Sequence, residues 1–359
     1  MKKETLLILE KALNGERIND AEALYLFLRA NLHDIGKCAQ SIRNKMVPEK
    51  KVSYTAFRII NYTDICTIDC SFCSFKKPED SEKGYIYTIE QILEKADSAI
   101  SQGADQFFIQ GGVNPQIPLS YYIGLLTALK SRYPDSHIRA FSPVEILSMS
   151  RQNNFSVYEI LKKLQIAGMD SIPGAGAEIL TERMRKLLSE KKCSTNEWYE
   201  IMHTALSPLD RGGLNMKGST NIVWGSSETP EEIIEHLSII RKLQDETGNV
   251  CSFVPWTFQR QTNSFPVREV SSTEYLKLLA LSRIYLDNIP NIEVSLMVKG
   301  RDIGQVALHY GANDINSPVF EENVLRSYGL KSIAEAENFI KESGFIPVRR
   351  NLNFDYNKY

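Results

Sequence analysis

Three cysteines set close together, Cys66-Thr-Ile-Asp-Cys70-Ser-Phe-Cys73, are the residues of this chain best suited to chemistry. Their spacing lets three thiolates take one iron–sulfur cluster, which ordinarily has four Cys ligands, and leaves one iron unclaimed. An open position on a metal is where a substrate or cofactor enters. A trio of buried structural thiols, a zinc knuckle and part of a disulfide framework are the competing readings. Zinc sites usually pair two C-x2-C units across a long spacer, and the sequence has no second unit. Cys38, Cys193 and Cys251 are scattered singly and read as ordinary thiols, and a disulfide scaffold does not suit 359 residues with six cysteines. The spacing therefore favours a cluster.

The elements that must position this loop alternate. After a helical leader over residues 1–50, β-rich runs exchange with helical ones whose starts carry the S/T-x-x-E/Q capping pattern: Thr88 with Gln91, Ser156 with Glu159, Ser194 with Glu197, Thr229 with Glu232, Ser271 with Glu274 and Ser332 with Glu335. Between them lie candidate strands at 56–62, 106–110, 137–141, 170–173, 219–224, 251–258 and 292–297, with a short eighth at 312–315. Such alternation implies an α/β fold with a parallel sheet, and about eight units imply a (β/α) TIM-type barrel, closed or nearly closed. A doubly wound open sheet is the alternative. The expected organisation is a leader at 1–50, the barrel at 51–328 and a C-terminal helix and tail at 329–359 packed on it.

A barrel of this kind gathers function at the carboxyl ends of its strands. The cysteine loop follows the first strand, Gly111-Gly112 the second, Ser142-Pro143-Val144-Glu145 the third, Gly174-Ala175-Gly176-Ala177-Glu178 the fourth and Gly225-Ser226-Ser227-Glu228 the fifth, while Thr257-Phe258-Gln259 closes the sixth. Each also has a plainer reading. Gly111-Gly112 makes a tight strand-to-helix turn, Glu145 stabilises a helix first turn, and Glu178, suited to accept from a ribose hydroxyl or act as a base, is accounted for almost as well by helix capping. Trp224, Trp256 and Phe258 alternate as core residues of strands. The five histidines share no spacing that suggests a site, Asn313-Asp314 reads as a turn, and the charged stretches 45–51 and 182–192 read as solvated faces.

Composition fits an enzyme of the reducing cytoplasm. The chain is 43% hydrophobic and 24% charged, with a formal charge of −2 that gives no electrostatic case for nucleic acid. Glu10 and Lys11 interrupt the N-terminal apolar run too early for a signal peptide, and that run reads as an amphipathic helix carrying Leu6, Leu9 and Leu13. No stretch approaches the ~18 apolar residues of a membrane span.

The C-x3-C-x2-C run with Phe72 before its last cysteine resembles the signature of the radical S-adenosylmethionine (SAM) enzymes. The resemblance runs from about 58 to 350. Ile60-Asn61-Tyr62-Thr63, Phe72-Cys73-Ser74-Phe75 and Ile109-Gln110-Gly111-Gly112 resemble the branch that holds the aminofutalosine synthases, the tyrosine-using deazaflavin-precursor synthases and the cyclic dehypoxanthinyl futalosine synthases. Asp170-Ser171-Ile172-Pro173-Gly174, Gln244-Asp245-Glu246-Thr247-Gly248, Leu286-Asp287-Asn288, and Gly311-Ala312-Asn313-Asp314 on to Glu321-Glu322-Asn323-Val324 are most similar to the last group. Phe253-Val254-Pro255-Trp256-Thr257-Phe258-Gln259 discriminates best.

The resemblance implies a [4Fe–4S] cluster on Cys66, Cys70 and Cys73 whose free iron chelates SAM, and an external electron donor of flavodoxin or ferredoxin type. It also implies a 5′-deoxyadenosyl radical that takes hydrogen from ribose C4′ of dehypoxanthinyl futalosine, cyclising it on the menaquinone route. Phe72, Gly111, Gly112 and Glu145 fall to the cofactor, Gln259 to the substrate, and Glu178, Glu228 and Asp314 to proton transfer. Four places depart from the pattern: Gly174-Ala175-Gly176-Ala177-Glu178 stands for Gly-Gly-Gly-Ala-Glu, a small change, Val294-Ser-Leu-Met-Val-Lys-Gly300 replaces an expected Ala-Ser-Trp-Val-Thr-Gln-Gly, about six residues are extra around 206–211, and a bulkier residue is missing after Gly225. These leave a paralogue with the same radical chemistry on another substrate as the alternative, with a non-catalytic metal-binding scaffold as the third reading.

Overall fold

A computed structural model describes residues 3–47, 49–259, 265, 267–321 and 330–354. Among the described residues nine strands run β1 (Lys51–Tyr54), β2 (Phe57–Ile60), β3 (Gln106–Ile109), β4 (His137–Ala140), β5 (Ser171–Pro173), β6 (Lys217–Trp224), β7 (Val250–Thr257), β8 (Asn291–Ile292) and β9 (Ile346–Arg349). β2 to β8 form one seven-stranded sheet in consecutive order, every neighbouring pair parallel. Consecutive order rules out the doubly wound alternative, in which the order reverses at a switch point. The sheet curls shut through an irregular segment instead of an eighth strand. Asp314 bridges both Glu293 beyond β8 and Ser53 on β1, and Val319 bridges Phe57 on β2. β1 and β9 make a separate parallel pair that sequence patterning missed.

Thirteen helices are described: α1 (Lys3–Leu13), α2 (Asp20–Arg29), α3 (Leu32–Met46), α4 (Ile89–Ser101), α5 (Leu119–Arg132), α6 (Pro143–Asn153), α7 (Val157–Ala167), α8 (Glu182–Ser189), α9 (Thr195–Leu206), α10 (Pro230–Thr247), α11 (Ser272–Tyr285), α12 (Leu296–Leu308) and α13 (Ile333–Glu342). Reciprocal capping boxes start α4, α7, α9, α10 and α11 at the expected residues. At α13 only half of the box forms, with Ser332 accepting from the Glu335 N–H. Ser142 and Glu145 make a further box at α6 that fits the same S-x-x-E pattern. The leader helices pack on the barrel, α2 against α10 and α11, and α3 against α11. In α1 the buried face is Thr5, Ile8, Leu9 and Ala12, so of the expected stripe only Leu9 is fully inside.

The strand expected at 292–297 is a correction. β8 ends at Ile292 and α12 begins at Leu296, because a short apolar run reads alike as strand or helix start until its partners are known. Strand β6 alternates half-buried and buried residues. Its Ser219, Asn221 and Val223 face the barrel lumen, and Ile222 and Trp224 pack outward beneath the helices. The lumen is thus a lined cavity, not a filled core.

Candidate active site

The cavity holds about 320 Å³ and opens at the carboxyl ends of the strands, with Cys66, Cys70 and Cys73 all in its lining. The cysteine loop is tied down on three sides. Cys66 N–H donates to the Lys77 carbonyl (2.9 Å) and Lys77 N–H to Asp64 (2.7 Å), so the loop closes on the extension of β2. Ser71 N–H and hydroxyl both reach the Leu188 carbonyl of α8 (3.0 and 2.9 Å). Asp69 sits at φ +56°, a left-handed turn that folds the run back toward Cys73. Phe72 lines the cavity, meeting Phe258 edge-on at 5.3 Å between centroids and lying under the Lys192 ammonium at 5.2 Å.

The glycine pair packs directly on this loop. A Cβ on Gly112 would stand 2.1 Å from the Ile65 carbonyl oxygen and 2.9 Å from Cys66 Cβ, and one on Gly111 would stand 2.7 Å from the Tyr62 ring. Gly112 N–H donates to Thr63 O (3.0 Å), and Val113 N–H to Cys66 Sγ (3.3 Å). Glu145, 3% exposed, fixes the third side. Its Oε1 accepts from Tyr62 Oη (2.7 Å) and Gly111 N (3.0 Å), its Oε2 from Ser142 N (2.7 Å) and Ser142 Oγ (2.6 Å). Burial pushes this carboxyl up in pKa and the four donors pull it back. The same burial keeps Tyr62 protonated as a donor.

The loop after β5 carries the cavity's salt bridge. Glu178 Oε2 accepts from Lys192 Nζ at 2.6 Å, both side chains nearly buried. Burial opposes the Lys192 charge, but the Glu178 carboxylate and negative charge at Cys70 outweigh it and raise its pKa. Glu178 holds φ +39° and Phe141, at the end of β4, φ +53°, so backbone strain collects at the strand ends that face the cavity. Arg185 clamps the loop from behind, its Nη1 donating to Gly176 O (2.8 Å) and Ala177 O (3.1 Å), its Nη2 to Cys193 O. Arg185 is buried and Lys192 lines the cavity. The reading of 182–192 as a solvated face is therefore corrected: a charge-rich helix shows an inward face only once its neighbours are placed.

The opposite wall comes from β6, β7 and the turn after β8. Trp256, Thr257, Phe258 and Gln259 all line the cavity, so the core reading of Trp256 gives way to a site reading, while Trp224 is core, edge-on to Phe27. Gln259 folds its amide back on Thr257 O (2.9 Å) and Oγ1 (3.0 Å). Deeper in, Arg139 donates to Ser171 Oγ (3.3 Å), Ser219 Oγ (3.2 Å) and Leu352 O, and burial lowers its pKa to about 10. Glu293, lining the cavity and 2% exposed, was not foreseen, since nothing in Ile-Glu-Val marks a carboxylate as inward.

Two of the expected bases are not brought to the cavity lining. Glu228 caps its own loop, accepting from Gly225 N (2.8 Å), Ser226 N (2.8 Å) and Ser226 Oγ (2.9 Å). Asp314, fully buried, is held bidentate by Arg350 at 2.7 Å and 2.7 Å and accepts from Ser53 Oγ. Glu178 alone of the three faces the cavity. Of the departures, 174–178 reaches it through Ala175 and 294–300 through Met297 and Val298; the extra residues near 206–211 lead into an exposed turn with Leu209 66% accessible. Residues 322–324 and the 328/329 boundary lie outside the described residues.

The donors present fit an iron–sulfur cluster. The site offers three thiols and a backbone N–H to sulfur, the kind of hydrogen bond that tunes such clusters. Among the described residues, no three His, Cys, Asp or Glu side chains converge on one point as a single metal ion requires. Burial raises the pKa of the Cys66 and Cys73 thiols while neighbouring backbone groups lower it.

The model of the radical SAM superfamily matches residues 60–240, and that of the CofH/MqnC C-terminal region matches 247–359. The chain is 36% identical to the cyclic dehypoxanthine futalosine synthase of Streptomyces coelicolor, covering 97% of this chain and 88% of that one. It is 35% identical to the synthase of the same name from Halalkalibacterium halodurans, covering 97% and 94%. The 5-amino-6-(D-ribitylamino)uracil–L-tyrosine 4-hydroxyphenyl transferase of Archaeoglobus fulgidus is 34% identical, covering 91% and 95%. Among solved structures, methylornithine synthase superposes with a TM-score of 0.72 at 18% identity, over 95% of this chain and 97% of that one.

Proposed function

The chain belongs to the radical SAM superfamily, and from that premise we propose that it cyclises dehypoxanthinyl futalosine by radical chemistry on the way to menaquinone. The observation that carries the reading is the convergence of Cys66, Cys70 and Cys73 with the Trp256–Gln259 run on one cavity, in a chain 36% identical over 97% of its length to a cyclic dehypoxanthine futalosine synthase. When bound, SAM and a [4Fe–4S] cluster supply the 5′-deoxyadenosyl radical that removes the C4′ hydrogen.

Cys66, Cys70 and Cys73 hold the cluster. Gly111 and Gly112 bring bare backbone to the cofactor, and Glu145 acts on it by fixing the Gly111 amide in place. Phe72 walls off the cluster from the substrate side. Lys192 presents a positive charge to a carboxylate, and Glu178 holds that charge in position or takes up a proton. Gln259, with Trp256 and Phe258, encloses the substrate and keeps stray hydrogen donors from the radical. Met297 and Val298 make the mouth of this wall apolar, suited to an aromatic ring. The six free cysteines and an oxygen-sensitive cluster suit the cytoplasm, with a small flavodoxin- or ferredoxin-type donor. No described helix is long and apolar enough to cross a membrane.

The test is anaerobic turnover of iron-reconstituted protein with SAM, dithionite and dehypoxanthinyl futalosine. Formation of 5′-deoxyadenosine together with the spirocyclic product is the expected result. Deoxyadenosine without cyclised product retains the radical chemistry and rejects this substrate, and neither product from fully loaded protein rejects the enzyme. Cys70→Ala should abolish both products and lower iron per chain.

A further inference from the structure

Among the described side chains that line the cavity, two buried polar atoms make no hydrogen bond of normal geometry, Glu293 Oε1, with the Ser252 hydroxyl nearby, and Trp256 Nε1. Both lie on the β7–β8 side. Phe253 pairs with Ile292, so Glu293 stands level with Val254, and Trp256 follows two residues up the same inner face. That places an acceptor just beyond β8 and a donor on the neighbouring strand β7, both facing the lumen. Leaving a buried carboxylate oxygen unpaired is costly, and native proteins retain such atoms where a ligand completes them.

The surroundings limit what that ligand presents. Glu293 is pushed toward its neutral form by burial and by the Asp314 carboxylate, against the pull of Arg350, the neighbouring Ser252 hydroxyl and Arg139. A second carboxylate placed against it would add to that repulsion. Arg139 already donates to two serine hydroxyls and a carbonyl, so it supplies a fixed positive field rather than a free hand. A neutral hydroxyl donates to the Glu293 oxygen without adding a second negative charge.

We infer that Glu293 forms a hydroxyl-recognition subsite at the inner wall of the cavity, accepting a hydrogen bond from a ribose hydroxyl of the substrate. The inference rests on the substrate reading above and deepens it by naming the group that orients the sugar. Glu293 is a specificity residue that fixes the ribose so that C4′–H faces the radical, and it takes no part in the cleavage of SAM.

The experiment measures the dissociation constant of dehypoxanthinyl futalosine by anaerobic calorimetry on cluster-loaded protein with SAM and no reductant, so that nothing turns over. Glu293→Met should weaken it roughly tenfold, the size of one lost hydrogen bond at a buried site, and Glu293→Gln should weaken it less. Iron content and the SAM dissociation constant should stay at wild-type values. Removal of the relevant ribose hydroxyl, tested with the 2′-deoxy and 3′-deoxy analogues, should weaken wild-type binding by a similar factor and cost Glu293→Met nothing further. An unchanged substrate constant in Glu293→Met overturns the inference, as do deoxy penalties of equal size in wild type and variant. Should the Met variant not load the cluster, wild type alone decides, because neither deoxy analogue binding more weakly than the parent also overturns it. Failure of wild type to bind the substrate at all rejects the substrate reading, and the inference with it; binding that is insensitive to Glu293 rejects the inference alone.

Discussion

On the β2–β5 side of the cavity the buried carboxylates are already answered by protein, whereas on the β6–β8 side two buried polar atoms are not. Glu145 takes four donors, Gly112 leaves no room for a methyl group, and Glu178 is locked to Lys192. Across the lumen, Trp256 Nε1 and Glu293 Oε1 make no hydrogen bond of normal geometry, and the inner face of β6 is only half-buried. The difference teaches which half is fixed before any ligand arrives. A cluster and a cofactor common to a whole superfamily call for preorganised geometry. Substrate selection calls for polar groups that a particular molecule completes.

The contrast breaks first at Gly112. Gly112→Ala forces a Cβ to 2.1 Å from a carbonyl oxygen and should cost about 3 kcal/mol or more, with iron per chain falling alongside the melting temperature. Arg185→Met strips the donors from the Gly176, Ala177 and Cys193 carbonyls, and chemical denaturation should show a loss of about 2–3 kcal/mol with weakened SAM binding. At Glu145 the isosteric Gln must turn an NH2 toward donors; a loss of about 1–2 kcal/mol and a raised SAM dissociation constant should follow.

A pH experiment probes the same fixed side. His236 is fully buried, its Nδ1 accepting from Leu180 N (3.1 Å) just beyond the Glu178 loop, and burial lowers its pKa to about 3. The folded ring stays neutral while the unfolded one takes a proton below the ordinary 6.5. Stability should therefore fall as pH drops from about 6.5 toward 3, by about 1.4 kcal/mol per unit, and His236→Gln should flatten that part of the profile. The smallest effect on folding belongs to the open wall. Trp256→Phe removes an N–H that bonds to nothing, so stability should move by less than about 0.5 kcal/mol while substrate affinity changes. A stability loss as large as that of Glu145→Gln would erase the contrast between the two walls.

Local signals account for what the chain reveals unaided. Cysteine spacing, the S/T-x-x-E caps and the alternation of strand and helix runs are short-range patterns, and they lead to the thiol loop, most helix starts and the parallel barrel. Gly111-Gly112 and Glu178 are legible because each follows a strand. Their partners are not. Lys192 reads as one more charge on a solvated face, Arg185 as another, and Glu293 as an ordinary residue of a short strand. Only the closed barrel turns these side chains inward, since burial and pairing depend on residues far away in sequence. Tertiary structure likewise decides among three candidate carboxylates: Glu228 and Asp314 are consumed by local and buried partners, and Glu178 faces the cavity. Residue types and spacing thus set the chemistry this protein is able to hold, and the folding of distant strands around one lumen sets which polar atoms are spent on structure and which remain for a ligand.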